Sequence, residues 1–332
     1  MSATTSIFHP YLSRILSSHL SSIPIDTLSR TPPSRLQTTA LPNIGLIELV
    51  SATDFTTLYD PLYKASFPRR AEREDSDLIT ARLAAQSAGT RTGLAPYRIV
   101  GIRDHEGQAI GAAQFSVLPL PTHPYPHSDN TSSNDNNDTP SFAVPYLQYI
   151  YVRPSSRRQD MSEVLHTMVL AVASADALAM SAQPRTIPFT LFETEPPDHG
   201  DDATSRAYAK ERSKIHTSTG GVAVVLHRES DGKILSAHVQ PGLETGDPPL
   251  TLVWVIRQSP SPGRPWDIRS IGKDLVAAYY QSLRDEGFPE ENIRLAERIV
   301  EARCKGADFY LMALGDVRDF TDPEHLDIYP SN

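Results

Sequence analysis

One junction in this 332-residue chain has the residue types and spacing to hold an anion. Residues 146–152 form a short apolar and aromatic run, Arg153-Pro154-Ser155-Ser156-Arg157-Arg158-Gln159-Asp160 follows, and a helical pattern begins at Met161 and Ser162. A helix N-terminus presents unpaired N–H groups and a partial positive charge, so a tight turn feeding one is a cradle for a pyrophosphate. Arg157 and Arg158 would add charge-assisted hydrogen bonds to phosphate. Further along, Glu193 and Glu195 stand two residues apart at the expected end of a strand, where residues i and i+2 share a face. His216 adds an imidazole, a group that ordinarily titrates near neutrality.

These residues need elements to place them. Residues 54–66 and 75–86 carry helical spacing and are parted by Phe67-Pro68. Residues 97–103, 111–118 and 142–152 read as three successive antiparallel strands, the first two joined through Asp104-His105-Glu106-Gly107. In the helix expected over 160–178, Met161, Val164, Leu165, Met168, Val169 and Val172 recur on one face. A strand at 187–192, a helix at 204–217 and strands at 221–227, 233–239 and 250–257 follow, then helices at 271–283 and 290–304. That order predicts an α/β layer with a mixed, mostly antiparallel central sheet flanked by helices. Three segments are expected: an N-terminal amphipathic helix and Pro/Ser-rich connector over 1–44, a main domain over 45–258 with a disordered insert at 119–141, and a C-terminal helical extension over 259–332.

The junction resembles the acyl-CoA signature of the GNAT superfamily of N-acyltransferases, in which a strand ending Val-x-Pro leads through Arg-x-x-Gly-x-Gly or Ala into a helix. Val152, Pro154 and Arg157 match, while Asp160 stands where the family has its first glycine and Ser162 where it has Gly or Ala. Residues 58–73 resemble the family's first helix and acceptor loop, and residues 213–221 its late helix, with His216 at the place of a frequent tyrosine. The resemblance implies acetyl-CoA as acyl donor, with the backbone at Tyr151 and Val152 pairing its pantetheine amides and the turn from Arg157 through Ser162 holding its phosphates. It implies transfer of an acetyl or short acyl group to a primary amine of a small molecule or protein. A carboxylate would remove the amine proton, here Glu193 or Glu195, and His216 would return one to the departing thiolate. A non-catalytic module that binds CoA or a protein partner is the alternative, since Asp160 would bring a like charge towards phosphate.

Composition narrows the field. With 31 Lys and Arg against 40 Asp and Glu the net charge is −9, which argues against a surface built to track nucleic-acid phosphates. Cys304 is the only cysteine, so an internal disulfide is excluded and a multi-cysteine zinc site is too. No metal is expected, His123 and His127 lying in the flexible Pro-, Asn- and Ser-rich insert. No apolar run approaches the ~20 residues of a membrane span, and no membrane partner is expected. A cytoplasmic location is expected. The first 40 residues, with fifteen Ser or Thr, three Arg and one Asp, resemble a mitochondrial transit peptide in outline, which leaves the mitochondrial matrix as the alternative.

Overall fold

The computed structural model describes residues 6–69, 73–120, 141–180, 185–197, 199 and 202–317, and its chain divides into two compact units. The first comprises residues 1–188 with 259–264, and the second 189–258 with 265–332. The expected insert, with His123 and His127, lies almost wholly outside the described residues, as does Asp198.

In the first unit the elements are α1 (Arg14–His19), α2 (Pro33–Thr38), β1 (Leu46–Leu49), α3 (Ala52–Asp54), α4 (Asp60–Ser66), α5 (Ser76–Ser87), β2 (Tyr97–Arg103), β3 (Ala109–Pro119), β4 (Ala143–Val152) and α6 (Met161–Ala179). The strands run β1-β2-β3-β4, each pair antiparallel; β2 to β4 answer to the three strands expected, and β1 is additional to them. The β2–β3 turn forms as its residues dictate: Gly107 takes φ +79°, and Asp104 Oδ1 accepts from the N–H groups of Glu106 and Gln108. Between α3 and α4, residues Phe55–Tyr59 are wound as a π-helical turn. Tyr59 is thereby buried with its hydroxyl donating to Glu48 Oε1 at 2.8 Å, and a Cβ at Gly101 would collide with its ring. The core here joins Phe55, Tyr59, Tyr63, Ile79, Leu83, Tyr97 and Tyr151.

Helix α6 is 19 residues long, and by length and composition alone it could cross a bilayer. Of its most apolar window 78% is buried inside the fold, the position of a core helix. The N-terminal residues are part of the same unit. Leu12 bridges Ile47, Ser13 N–H donates to the Ile47 carbonyl at 2.8 Å, and Arg30 N–H donates to Glu163 Oε1 of α6 at 2.9 Å. His19 and Arg98 both reach Asp176, the arginine through two bonds of 2.9 and 2.8 Å. The N-terminal helix covers only residues 14–19 and turns Leu16 inward, leaving Ile15 72% exposed.

The second unit holds β5 (Phe189–Thr194), α7 (Ala203–Ser218), β6 (Gly221–Arg228), β7 (Lys233–Ser236), β8 (Val253–Gln258), α8 (Ile268–Asp285), α9 (Glu290–Arg303) and β9 (Asp308–Ala313). Strand β8 pairs β5 and β6, and β6 also pairs β7 and β9, all antiparallel. Two expectations change here. Residues 259–332 are not purely helical, since β9 adds a strand along β6; residues 259–264 are grouped with the first unit and those from 265 with the second. The alternation of β9 is blurred in sequence because five of its six residues, all but Phe309, are left partly or fully outside. Strand β5 sits two residues later than expected and ends at Thr194.

Candidate functional site

The junction after β4 is built as a turn with its donors uncommitted. In β4 the pairing with β3 steps from Tyr149 opposite Gln114 to Leu147 opposite Phe115, so Gln148 is a bulge residue and the strand bends there. Tyr151 packs its ring into the aromatic core, with Tyr63 at 5.8 Å and Phe67 at 6.1 Å, and Val152 is half-buried. Arg153 anchors the exit: its N–H donates to the Ile110 carbonyl, its Nε to Ser156 Oγ at 2.8 Å and its Nη1 to Asp104 at 2.6 Å.

Beyond a 3-10 turn at Pro154–Ser156, Arg157 and Arg158 are exposed. Arg157 makes one long bond, Nε to the Val152 carbonyl at 3.3 Å, and Gln159 makes one of 3.5 Å to the Ser155 carbonyl. Arg158 at φ 61° and Asp160 at φ 56° both occupy the left-handed region. That region suits glycine, and among other residues Asp tolerates it because its short polar chain bonds locally. Among the described residues none accepts from the backbone N–H of Arg158, Gln159, Asp160, Met161 or Ser162, the first hydrogen bonds into α6 being those of Glu163 and Val164 to the Asp160 carbonyl. Successive free N–H groups around left-handed residues form an anion-binding concavity. Met161 is buried beneath the turn and Ser162 is exposed on it. The Asp160 carboxylate, which the sequence sets against a phosphate, caps none of these groups. Both its oxygens are held by Arg35 at 2.8 Å, with Thr39 Oγ1 donating at 2.9 Å. The Arg35 guanidinium holds this carboxyl below the usual carboxylate range. Neither Arg35 nor Thr39 is a site residue by any sequence motif; only the fold brings α2 to this turn.

In the second unit the three acid–base candidates separate into two groups. Glu193 Oε1 accepts from His238 Nε2 and from Tyr279 OH, each at 2.7 Å. His238 is fully buried and stacked on Trp254, ring centres 4.6 Å apart, and Tyr279 meets both rings edge-on. Glu195 instead pairs with Arg212 of α7 at 2.9 Å. Glu193 lies within β5 and Glu195 one residue past its end, and each is held by a different partner. His216, also on α7, packs against Phe192 at 5.6 Å. Burial, and next the charge of Arg212, push its imidazole down to about 4, so it is neutral at pH 7 and holds no acidic proton to return to a thiolate. His238 and Tyr279 were missed in the sequence because each lies far along the chain from Glu193. A separate cavity of about 460 Å³, between α8, α9 and β9, is lined by none of these candidates.

Neutral imidazoles, His238 buried and His216 half-buried, make stability depend on pH. Burial lowers His238 as well as His216, although Glu193 opposes the shift at His238. An unfolded chain protonates both near pH 6.5 while the folded one keeps them neutral, so acid favours unfolding. This contribution is whole above about pH 6.5 and is lost as pH falls towards 4. Urea midpoints of wild type and His216→Phe across that range check it: the variant should show a shallower decline, by about 1–3 kcal/mol at the acid end. A parallel decline would remove His216 from the account.

No family model matches the chain, and no curated protein matches it. Among solved structures it is similar to a protein from Bacteroides thetaiotaomicron described as a GNAT-family acetyltransferase, at 12% identity, covering 69% of this chain and 92% of that one, with a TM-score of 0.37. It is similar to Arabidopsis thaliana NAA60, solved with acetyl-CoA, at 10% identity, 64% and 97% coverage and a TM-score of 0.36. Chaetomium thermophilum Naa20, solved with a bisubstrate analogue, gives 14%, 64% and 85%, and a TM-score of 0.31. Values this low carry neither activity nor acceptor across to this chain. Its own strands and helices establish the architecture: a mixed α/β fold with a mostly antiparallel sheet flanked by helices, as resemblance to the GNAT superfamily implies.

Proposed function

We propose that this protein is an acyl-CoA-dependent N-acyltransferase that moves an acetyl or short acyl group to a primary amine of a small molecule or protein. The observation that carries this reading is the turn from Arg157 to Ser162, whose uncommitted N–H groups open a long buried helix beside two exposed arginines. Those groups fit a pyrophosphate, and the bulge at Gln148 fits a strand that turns backbone groups towards a pantetheine arm. Acyl-CoA bound there supplies an activated thioester. In the first unit the turn, with Arg157 and Arg158, would hold its phosphates; the second unit's candidate for taking the amine proton is Glu193, its orientation fixed by His238 and Tyr279.

Acetyl-CoA at a hundredfold excess over its Kd should add about 2.7 kcal/mol to the folded state and raise the melting temperature by several degrees. Replacing Arg157 and Arg158 together with alanine should remove most of that shift. No shift for wild type at millimolar acetyl-CoA would overturn the reading. A non-catalytic CoA-binding module is favoured by one observation: Glu195 is ion-paired and His216 is neutral, which leaves Glu193 alone among the candidates. Binding without release of free CoA across a panel of amines would establish that module instead.

A further inference from the structure

At Asp160 the turn does with two residues what the resembled family does with one glycine. Glycine there would offer a left-handed backbone and no side chain to compete for the helix donors. Asp160 adopts the same backbone, φ 56° and ψ 18°, yet an aspartate at a helix start ordinarily bonds the next free N–H groups and adds a negative charge. Here it does neither to the turn. Its Oδ2 accepts from Arg35 Nε and Thr39 Oγ1 and its Oδ1 from Arg35 Nη2, a two-pronged clasp with the carboxylate side chain 16% exposed and the arginine 64%.

We propose that Arg35 is a positioning residue for acyl-CoA, drawing the Asp160 carboxylate off the donors of the α6 N-terminus and cancelling its charge so that the turn accepts a phosphate. The proposal rests on the acyl-CoA reading of this turn. It makes residues 33–39 part of the cofactor site, although no motif there announces it. Arg35 need not touch the cofactor. Without it, the freed carboxylate competes with phosphate twice over, as a hydrogen-bond acceptor for the same N–H groups and as a like charge close by.

The test is acetyl-CoA affinity of the full chain by calorimetry, at low and at high salt, with each variant's fold checked by circular dichroism. Arg35→Ala should weaken binding about tenfold at low salt, less so as salt screens the exposed charge. Combining it with Asp160→Gly should restore affinity to within about twofold of wild type, because the competing carboxylate is gone. A merely structural anchor predicts the reverse, since the double variant still lacks the clasp. Loss in Arg35→Ala that Asp160→Gly does not repair would therefore overturn the proposal, and so would an unchanged affinity in Arg35→Ala. Should Arg35→Ala fail to fold, Asp160→Asn decides: it keeps the left-handed backbone and removes the charge, so binding as tight as wild type or tighter supports the clasp and weaker binding sinks it. Wild type that binds no acetyl-CoA at all would overturn the reading beneath the proposal, a result distinct from any of these.

Discussion

Deleting residues 1–44 is expected to unfold the first unit. Phe8, Leu16, Leu36 and Ile44 have no exposed surface, and Leu20, Ile25, Leu28 and Leu41 have almost none. At about 1.5–3 kcal/mol for each fully buried side chain, the first four alone approach the ~5–15 kcal/mol that keeps a domain folded. The deletion would also strip Asp176 of His19 and leave the Glu163 carboxylate without the Arg30 N–H. Denaturant unfolding of the truncated chain, followed by circular dichroism, should show no cooperative transition assignable to this unit. A milder form of the same result is Leu36→Ala, which should cost about 2–5 kcal/mol. A truncated chain that melts like the full one would mean that these residues only cover the surface. The outcome also bears on a transit peptide, because a segment contributing this much core is costly to remove by processing.

The second large effect is expected at Glu193, where two substitutions separate chemistry from packing. Glu193→Ala removes the acceptor of the buried His238 Nε2–H and of the Tyr279 hydroxyl bond, and should cost about 2–5 kcal/mol. Glu193→Gln keeps an oxygen that can accept both bonds, so its stability should fall by no more than about 1.5 kcal/mol. It cannot take a proton from an amine. Under the proposed function Glu193→Gln should therefore lower kcat by about 10²–10⁴-fold with little change in acetyl-CoA affinity. Equal turnover in wild type and Glu193→Gln, measured as free CoA released, would exclude this carboxylate as the base and leave it as a core partner of His238.

How much of this was legible in advance follows the range of the interactions. Helix α6 and strands β2 to β4 were legible because their signals lie within a few residues, at i, i+3, i+4 for the helix and as apolar runs bounded by turn residues for the strands. Strand β9 was not, because most of its side chains lie at the surface and its partner β6 is some eighty residues away. The same contrast holds within the site. That a turn with two arginines opens a helix was readable, since helix N-termini carry their donors whatever surrounds them. That the Asp160 carboxylate leaves those donors alone was not, because Arg35 lies 125 residues earlier and reaches it only once α2 has packed.

Local backbone chemistry thus settled the strand-turn-helix and the carboxylates at the end of β5. Tertiary structure decided what each side chain faces: Asp160 towards Arg35, Glu193 towards His238 and Tyr279, Glu195 towards Arg212, and His216 into a setting that keeps it neutral. The reason is physical. A residue's backbone preference depends on its neighbours in the chain, whereas its charge state and hydrogen-bond partners depend on groups within about 4 Å in space, and here those groups come from elsewhere in the sequence.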